Sequence, residues 1–309
     1  MIIIKQQGRL GNQLFQYAFA KKLQTEFYND ENIYINSNSV ISSGEKSDGW
    51  ENSLKYFNLD EYYVTDTYEI NVLQKIILYF YLAIRKMVRE IFKLGLDTKK
   101  MDVFFSSILN YFGIYCINSG YFEPKRSKFK NKILVGCFES SKFFDDIRDD
   151  IIREFQPTSG PKFENNDLYK VIEQSNTVCI TIRRGDFLSS KFSKSHYICT
   201  NEYFYKAEKI IKEKVKNPVF IVFSDDVEWV KQNMHFEGEV YYETGNDPIW
   251  EKLRLMSSCK HFIISNSTFS WWAQYLSTND NKVVIAPSKW NNKIRNKDIY
   301  QDYWTQIDV

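Results

Sequence analysis

The sequence predicts an α/β protein of two domains. Three observations carry that expectation. The chain has 309 residues, more than a single domain usually holds. Its second half alternates near-continuous apolar strands with helical segments, the pattern of a parallel sheet covered on both faces. Between the halves, QPTSGPKFENN (156–166) is rich in turn formers and lacks apolar periodicity, which sets the expected domains at 1–157 and 158–309.

The first strand is the apolar run Met1 to Ile4. GRLGNQ follows, and then Leu14, Phe15, Tyr17, Ala18, Phe19 and Leu23 recur at helical spacing, so the chain opens with a strand, a glycine loop and a helix. Gly8 and Gly11 are spaced GxxG, not GxGxxG, so the dinucleotide fingerprint is missing. By themselves they read as a tight turn. Residues 70–115 read as a helical insertion. Its stretch from Lys75 to Asp102 carries seven Lys or Arg against three acids. Two readings fit it, an ordinary solvated face or contact with an anionic membrane surface. In the second domain VCITI ends at Ile182, VFIVF at Phe223, HFIIS at Ser265 and VVIA at Ala286. Helical stripes run through Asn201–Lys214 and Trp250–Cys259.

Composition removes several function classes. A net charge of +2 is too small for the clustered cations of a nucleic-acid surface. Five scattered cysteines with no CxxC pair argue against both a disulfide framework and a zinc site, and predict reduced, mostly buried thiols. The first residues show neither a basic n-region nor a long apolar stretch, so a cytoplasmic protein is expected. The apolar run Ile76 to Ile84 falls far short of the roughly 20 residues that cross a bilayer. Aromatic residues reach 17%, and such rings both pack cores and stack on sugars.

In open α/β sheets ligands bind beyond the carboxyl ends of the strands. Three strands end there in dense polar clusters: Arg183-Arg184-Gly185-Asp186, Ser224-Asp225-Asp226, and Asn266-Ser267-Thr268-Phe269-Ser270. Each has an ordinary explanation alone, as a salt-bridge partner or a helix cap. Three converging on one sheet edge point to a site. Their chemistry suits a diphosphate leaving group, where negative charge develops on phosphate oxygens and must be met by a divalent metal or by fixed cations and helix N-termini. Arginine presents a planar, permanently charged fork matched to phosphate. Asp225 and Asp226 are adjacent and do not form the DxD arrangement that holds manganese, so no metal and no cofactor are expected.

The motifs GRLGNQLFQYAFA (8–20), ITIRRGDF (180–187), VFSDDVEW (222–229) and LMSSCKHFIISNSTFSWWAQYL (255–276) together resemble those of the bacterial α-1,2-fucosyltransferases of glycosyltransferase family 11. One departure stands out: the family pattern HxRRxD has Thr181 here in place of its histidine. The resemblance implies a GT-B fold, two facing Rossmann-like domains with a central cleft, the last helix packing back on the first domain. It also implies inverting transfer from GDP-fucose to the 2-hydroxyl of a terminal galactose in a glycan, with a fucosyltransferase of another linkage and a catalytically silent sugar-binding protein of the same fold as the alternatives. Carried over residue by residue, Arg183 meets the β-phosphate, while Arg184 orients that loop or meets the nucleotide. Ser224, Asp225, Asp226, Asn266, Ser267, Thr268 and Phe269 surround the donor. Asp225 or Asp226 accepts from guanine or ribose. Gly8, Gly11 and Gln13 lie on the opposing cleft loop, and Asn12 positions the acceptor hydroxyl. Asp186 binds a hydroxyl or braces Arg183, and is also the nominee for general base. Trp271 and Trp272 are assigned to helix packing.

Overall fold

A computed structural model of the chain describes residues 1–44, 50–91, 98–185, 188, 196–292 and 297–309. It divides into two compact units, Met1–Phe155 with Asn296–Tyr300, and Gln156–Arg295 with Gln301–Val309.

The first unit runs β1 (Ile2–Lys5), α1 (Leu10–Phe27), β2 (Ile33–Asn36), α2 (Asn38–Gly44), β3 (Tyr62–Val64), α3 (Val72–Ile91), α4 (Thr98–Tyr111), β4 (Ile114–Cys116), β5 (Lys132–Val135) and α5 (Arg148–Glu154). Its five strands are ordered β3-β2-β1-β5-β4, and each pairs with its neighbours in parallel. β1 is the middle strand, so Ile2, Ile3 and Ile4 are buried on both faces. That placement explains why its sequence is a continuous apolar run rather than an alternating one. α1 is buried almost all round, with Leu14, Phe15, Tyr17, Ala18, Phe19 and Leu23 inaccessible to solvent.

The loop between β1 and α1 is fixed by side chains of the helix it precedes. Gly8 adopts φ +75°, which an L side chain rarely does, and a Cβ there would come within 2.3 Å of Asn12 Nδ2. Gln13 Nε2 donates to the carbonyls of Gly8 (3.0 Å) and Glu51 (2.7 Å), and its Oε1 accepts from Ser53 N–H at 2.9 Å. Gln16 closes a second pair of bonds onto the Gln7 backbone, 3.2 and 2.9 Å. The expectation of a cleft loop through Gly11 and Gln13 is therefore corrected: Gly11, Asn12 and Gln13 form the first turn of α1. Gly11 and Gln13 are buried, and the amide of Gln13 is spent on the fold.

α3 and α4 form the helical insertion. Leu78 and Tyr81 on one side of α3 join Leu109, Ile114, Cys116 and Ile133 in a small core. The other side of α3 is also apolar but faces water: Val72, Ile76, Phe80 and Met87 are exposed by more than half, as are Phe104, Ile108 and Tyr111 of α4. An ordinary solvated face would be polar. Among the described residues no helix is long and apolar enough to cross a membrane.

The second unit runs α6 (Asn166–Gln174), β6 (Asn176–Ile182), α7 (Asn201–Lys214), β7 (Pro218–Ser224), α8 (Val227–Asn233), β8 (Glu239–Tyr242), α9 (Ile249–Ser258), β9 (His261–Ile263), α10 (Thr268–Leu276), β10 (Val284–Pro287) and β11 (Thr305–Ile307). Its six strands, in the order β11-β10-β9-β6-β7-β8, are again all parallel. The order reverses between β6 and β9. That is the switch point at which an open parallel sheet leaves a crevice beyond its carboxyl edge. Trp271 and Trp272 are wholly buried in α10, and Trp271 stacks on Tyr275 with ring centres 4.7 Å apart. They pack the helix, as expected. The five cysteines are free thiols, all buried except the half-buried Cys137.

After α10 and β10 the described residues contain no further α-helix. The 3₁₀ turn Lys297–Ile299 belongs to the first unit, where Asp298 pairs with Lys99 and with Lys142 (2.8 Å), and β11 follows in the second.

Candidate functional site

The carboxyl edge of the second sheet holds a pocket of ≈ 550 Å³, its open mouth included. All three polar clusters contribute to it. Thr181, Ile182 and Arg183 come from the end of β6, Phe223, Ser224 and Asp225 from the end of β7, and Ser265, Ser267, Phe269 and Ser270 from the passage between β9 and α10. Glu243 follows β8, and Ile249, Lys252 and Met256 of α9 complete the lining.

The β6 loop is held by Asp225. Its Oδ1 accepts from the backbone N–H of Arg184 at 2.8 Å, and its Oδ2 pairs with Arg183 Nη1 at 3.1 Å. Gly185 gives it room, since a Cβ there would meet Asp225 Oδ2 at 2.6 Å. A solvent-exposed ion pair is worth only about 0.2–1 kcal/mol, and this one retains partial exposure, so its importance is geometric. It aims a guanidinium, about a quarter exposed, into the pocket wall.

Arg184 is turned the other way. Its guanidinium lies over the Trp229 ring, 3.1 Å from the ring centre, and Nε pairs with Asp226 Oδ2 at 3.2 Å. The residue is buried and does not line the pocket. Of the two roles expected for Arg184, orienting the loop is the one this geometry fits, and its place among donor-binding residues is corrected with that of Asp226: the two clamp each other and brace the loop that carries Arg183. Asp225 is corrected in part, because although it lines the pocket both its oxygens already serve the arginine loop.

The third cluster divides as well. Asn266 is buried, with Nδ2 donating to the carbonyls of His196 (2.9 Å) and Trp290 (3.0 Å) and Oδ1 accepting from Cys199 Sγ at 3.5 Å. Burial pushes the Cys199 thiol up to about 12, so it keeps the proton it donates. Asn266 is thus a structural tie, not the donor ligand expected. Ser267 is the N-cap of α10, and its hydroxyl makes no cap bond to the helix. The backbone N–H groups of the first helical turn have no partners within the helix, and that turn contains no acidic side chain. The positive end of the helix therefore meets no acid from its own first turn and favours an anion. Phe269 lines the pocket; Thr268, half-buried at the first helical position, does not.

Thr181 has a definite job in place of the family histidine. Its Oγ1 accepts the N–H of Ser265 at 3.0 Å, joining the carboxyl end of β6 to that of β9. Ser224 is partly engaged, its Oγ accepting from Asp226 N–H at 3.0 Å. Asp186 lies outside the described residues. Gly8, Gly11, Asn12 and Gln13 belong to the first unit, where Asn12 packs on Gly8.

The pocket thus presents Arg183, Lys252, a cluster of serine hydroxyls and an open helix N-terminus at one sheet edge. This is equipment for holding an anionic group while charge accumulates on its oxygens. Sequence reasoning missed Glu243 and Lys252. The available signal was their position, one just past a strand end and the other on the helix that follows.

A family model described as glycosyl transferase family 11 matches residues 1–308. The chain belongs to glycosyltransferase family 11. Each of its two units is an α/β layer built on an all-parallel sheet, the class expected from the sequence. An alpha-1,2-colitosyltransferase of Escherichia coli is 25% identical to this family 11 chain over 320 residues, covering 100% of this chain and 99% of that protein. The O-antigen biosynthesis glycosyltransferase WbnK of Escherichia coli is 29% identical over 319 residues, covering 97% and 98%. The human galactoside alpha-(1,2)-fucosyltransferase 1 is 27% identical over 149 residues, covering 45% of this chain and 41% of that protein.

For this family 11 site, Asp225→Asn removes the charge that aims Arg183 and one of the two acceptor oxygens. Glycosyl transfer is expected to fall roughly 100-fold, the cost of misplacing a reacting group by about 1 Å, with circular dichroism unchanged. A rate within threefold of the parent would show that Arg183 holds its position without this clasp.

Proposed function

We propose that the protein is an inverting galactoside α-1,2-fucosyltransferase, moving L-fucose from GDP-β-L-fucose to the 2-hydroxyl of a terminal galactose in a glycan of a surface polysaccharide or O-antigen. The observation that carries the reading is Arg183, held by Asp225 in a pocket that also contains the N-terminus of α10. In this reading Arg183 binds the β-phosphate, and the α10 turn with the serine hydroxyls takes the remaining oxygens. Fixed cations and backbone N–H groups then perform the neutralisation that a metal performs elsewhere, so transfer needs no divalent ion and no cofactor. Asn12 positions the acceptor hydroxyl. Asp186 takes its proton.

A second reading differs only in the sugar. One relative matched along its whole length is a colitosyltransferase, whereas the human fucosyltransferase is matched over less than half of this chain. Colitose is L-fucose without its 3-hydroxyl, so the same nucleotide site serves either donor and contacts to that hydroxyl decide between them.

The proposal also includes peripheral contact with an anionic membrane through α3 and α4. Charge complementarity supports it: Lys75 and Lys86 are exposed on α3 beside the apolar stripe, and Lys100 is exposed on α4. Basic residues flanking a bulky apolar face are what an interfacial helix needs.

GDP-fucose and GDP-colitose, each offered with a panel of galactose-terminated acceptors in EDTA, are expected to yield an α-1,2-linked product with one of the two donors. Arg183→Ala should lower transfer by about 10³-fold or more. Activity abolished by EDTA and restored by manganese would end the metal-independent reading, and normal turnover of Arg183→Ala would end its role. If Asp186→Asn stays within tenfold of the parent, that residue is not the base, because general-base catalysis contributes about 10²- to 10⁴-fold. Flotation with phosphatidylserine-containing vesicles at low salt should carry the protein upward, and Ile76→Glu with Phe80→Glu should abolish this; failure of the parent to float removes the membrane reading.

A further inference from the structure

Glu243 is a buried acid lining the pocket that the proposed chemistry leaves unused. It follows β8, where its own N–H donates to the Val222 carbonyl of β7 at 3.0 Å, so its backbone position is fixed by the sheet. The residue is 1% exposed yet lines the pocket. Oε1 accepts from Asp247 N–H at 3.4 Å and faces Lys252 Nζ at 3.5 Å, both at the outer limit of such contacts. Oε2 is buried and has no hydrogen-bond partner among the described residues. Lys252 pairs with Oε1 and not Oε2, and its ammonium also donates to the Gly245 carbonyl at 2.9 Å. An orphaned acceptor in a well-folded protein calls for an explanation, and its cost is higher when the group is ionised.

We propose that Glu243 reads the guanine edge of the nucleotide donor, its carboxylate accepting from N1–H and the 2-amino group. This inference rests on the GDP-sugar reading above. The missing partner must supply N–H or O–H donors to a carboxylate. Phosphates carry only acceptors, which excludes the diphosphate. Guanine places two donors side by side on one edge, the complement of a carboxylate. Adenine presents an acceptor next to its amino group and uracil a single N–H between two carbonyls, so both pair poorly with Glu243.

The sheet order places this acceptor at a suitable distance. Arg183 stands at the end of β6, and β8 lies two strands away across β7. At about 4.8 Å per strand the separation is roughly 10 Å, comparable to the reach of a nucleoside from its 5′-phosphate to the far edge of its base. Asp225, expected from sequence to read the base or ribose, has both oxygens committed to the arginine loop. Glu243 has a free one.

The experiment compares GDP, IDP and ADP binding to the full chain by calorimetry. IDP lacks only the 2-amino group. The parent is expected to bind GDP roughly tenfold more tightly than IDP, the effect of one charge-assisted hydrogen bond, and ADP more weakly still. Glu243→Gln places an amide against the two guanine donors; it should weaken GDP binding and abolish the GDP-over-IDP preference while thermal melting confirms a folded protein. A parent that binds GDP and IDP equally overturns the proposal without need of any variant. So does a Glu243→Gln protein that weakens both nucleotides yet keeps the parental ratio, since the carboxylate would then serve the ribose or the fold. A parent that binds ADP as tightly as GDP, or no nucleotide at all, brings down the GDP-sugar reading itself, a different result from loss of this residue's role alone.

Discussion

The donor-side geometry depends on the two oxygens of Asp225. One fixes the backbone at Arg184 and the other fixes the side chain of Arg183, so a single carboxylate at the end of β7 sets both the path and the aim of the loop after β6. Without an opposing anion, adjacent guanidinium groups repel each other and each seeks water. Here they separate into two environments. Arg183 stays at the pocket with Asp225, while Arg184 is drawn onto Trp229 and Asp226. The RR and DD pairs are thus matched one to one, which explains why both appear as doublets.

Much of this edge was legible in the sequence because a parallel sheet converts strand ends into neighbours. Once VCITI, VFIVF and HFIIS were recognised as buried strands, the residues following them had to meet, and residues after all three strands line one pocket. What the pattern could not reveal was orientation. Nothing in Arg183-Arg184 says which guanidinium turns inward. Asn266 looked like a ligand because amides often are, but its partners lie at residues 196, 199 and 290, far away in the chain. Glu243 was overlooked because a lone acid after a short polar strand carries no signal until its burial is known.

The first unit was less legible. β2 to β5 have three or four residues each, too few for a period to register, and only the central β1 announced itself by its isoleucines. GRLGNQ illustrates how a specific motif can mislead about mechanism. Its glycine and glutamine were expected at a cleft, yet Gly8 and Gln13 serve the geometry of the turn and the start of α1. The same sequence specificity arises from either demand.

The bond from Ser265 N–H to Thr181 also bears on how this site could be altered. A hydroxyl oxygen at that depth serves as a staple between β6 and β9, the two strands flanking the crevice. An imidazole is larger and would carry its acceptor farther from the backbone, so introducing the family histidine would have to open the seam between those strands before it could offer anything to a ligand. Position 181 is thus less a vacant catalytic post than a rivet, one methyl-bearing alcohol that carries the pairing of β6 and β9 past the last rung of their backbone ladder.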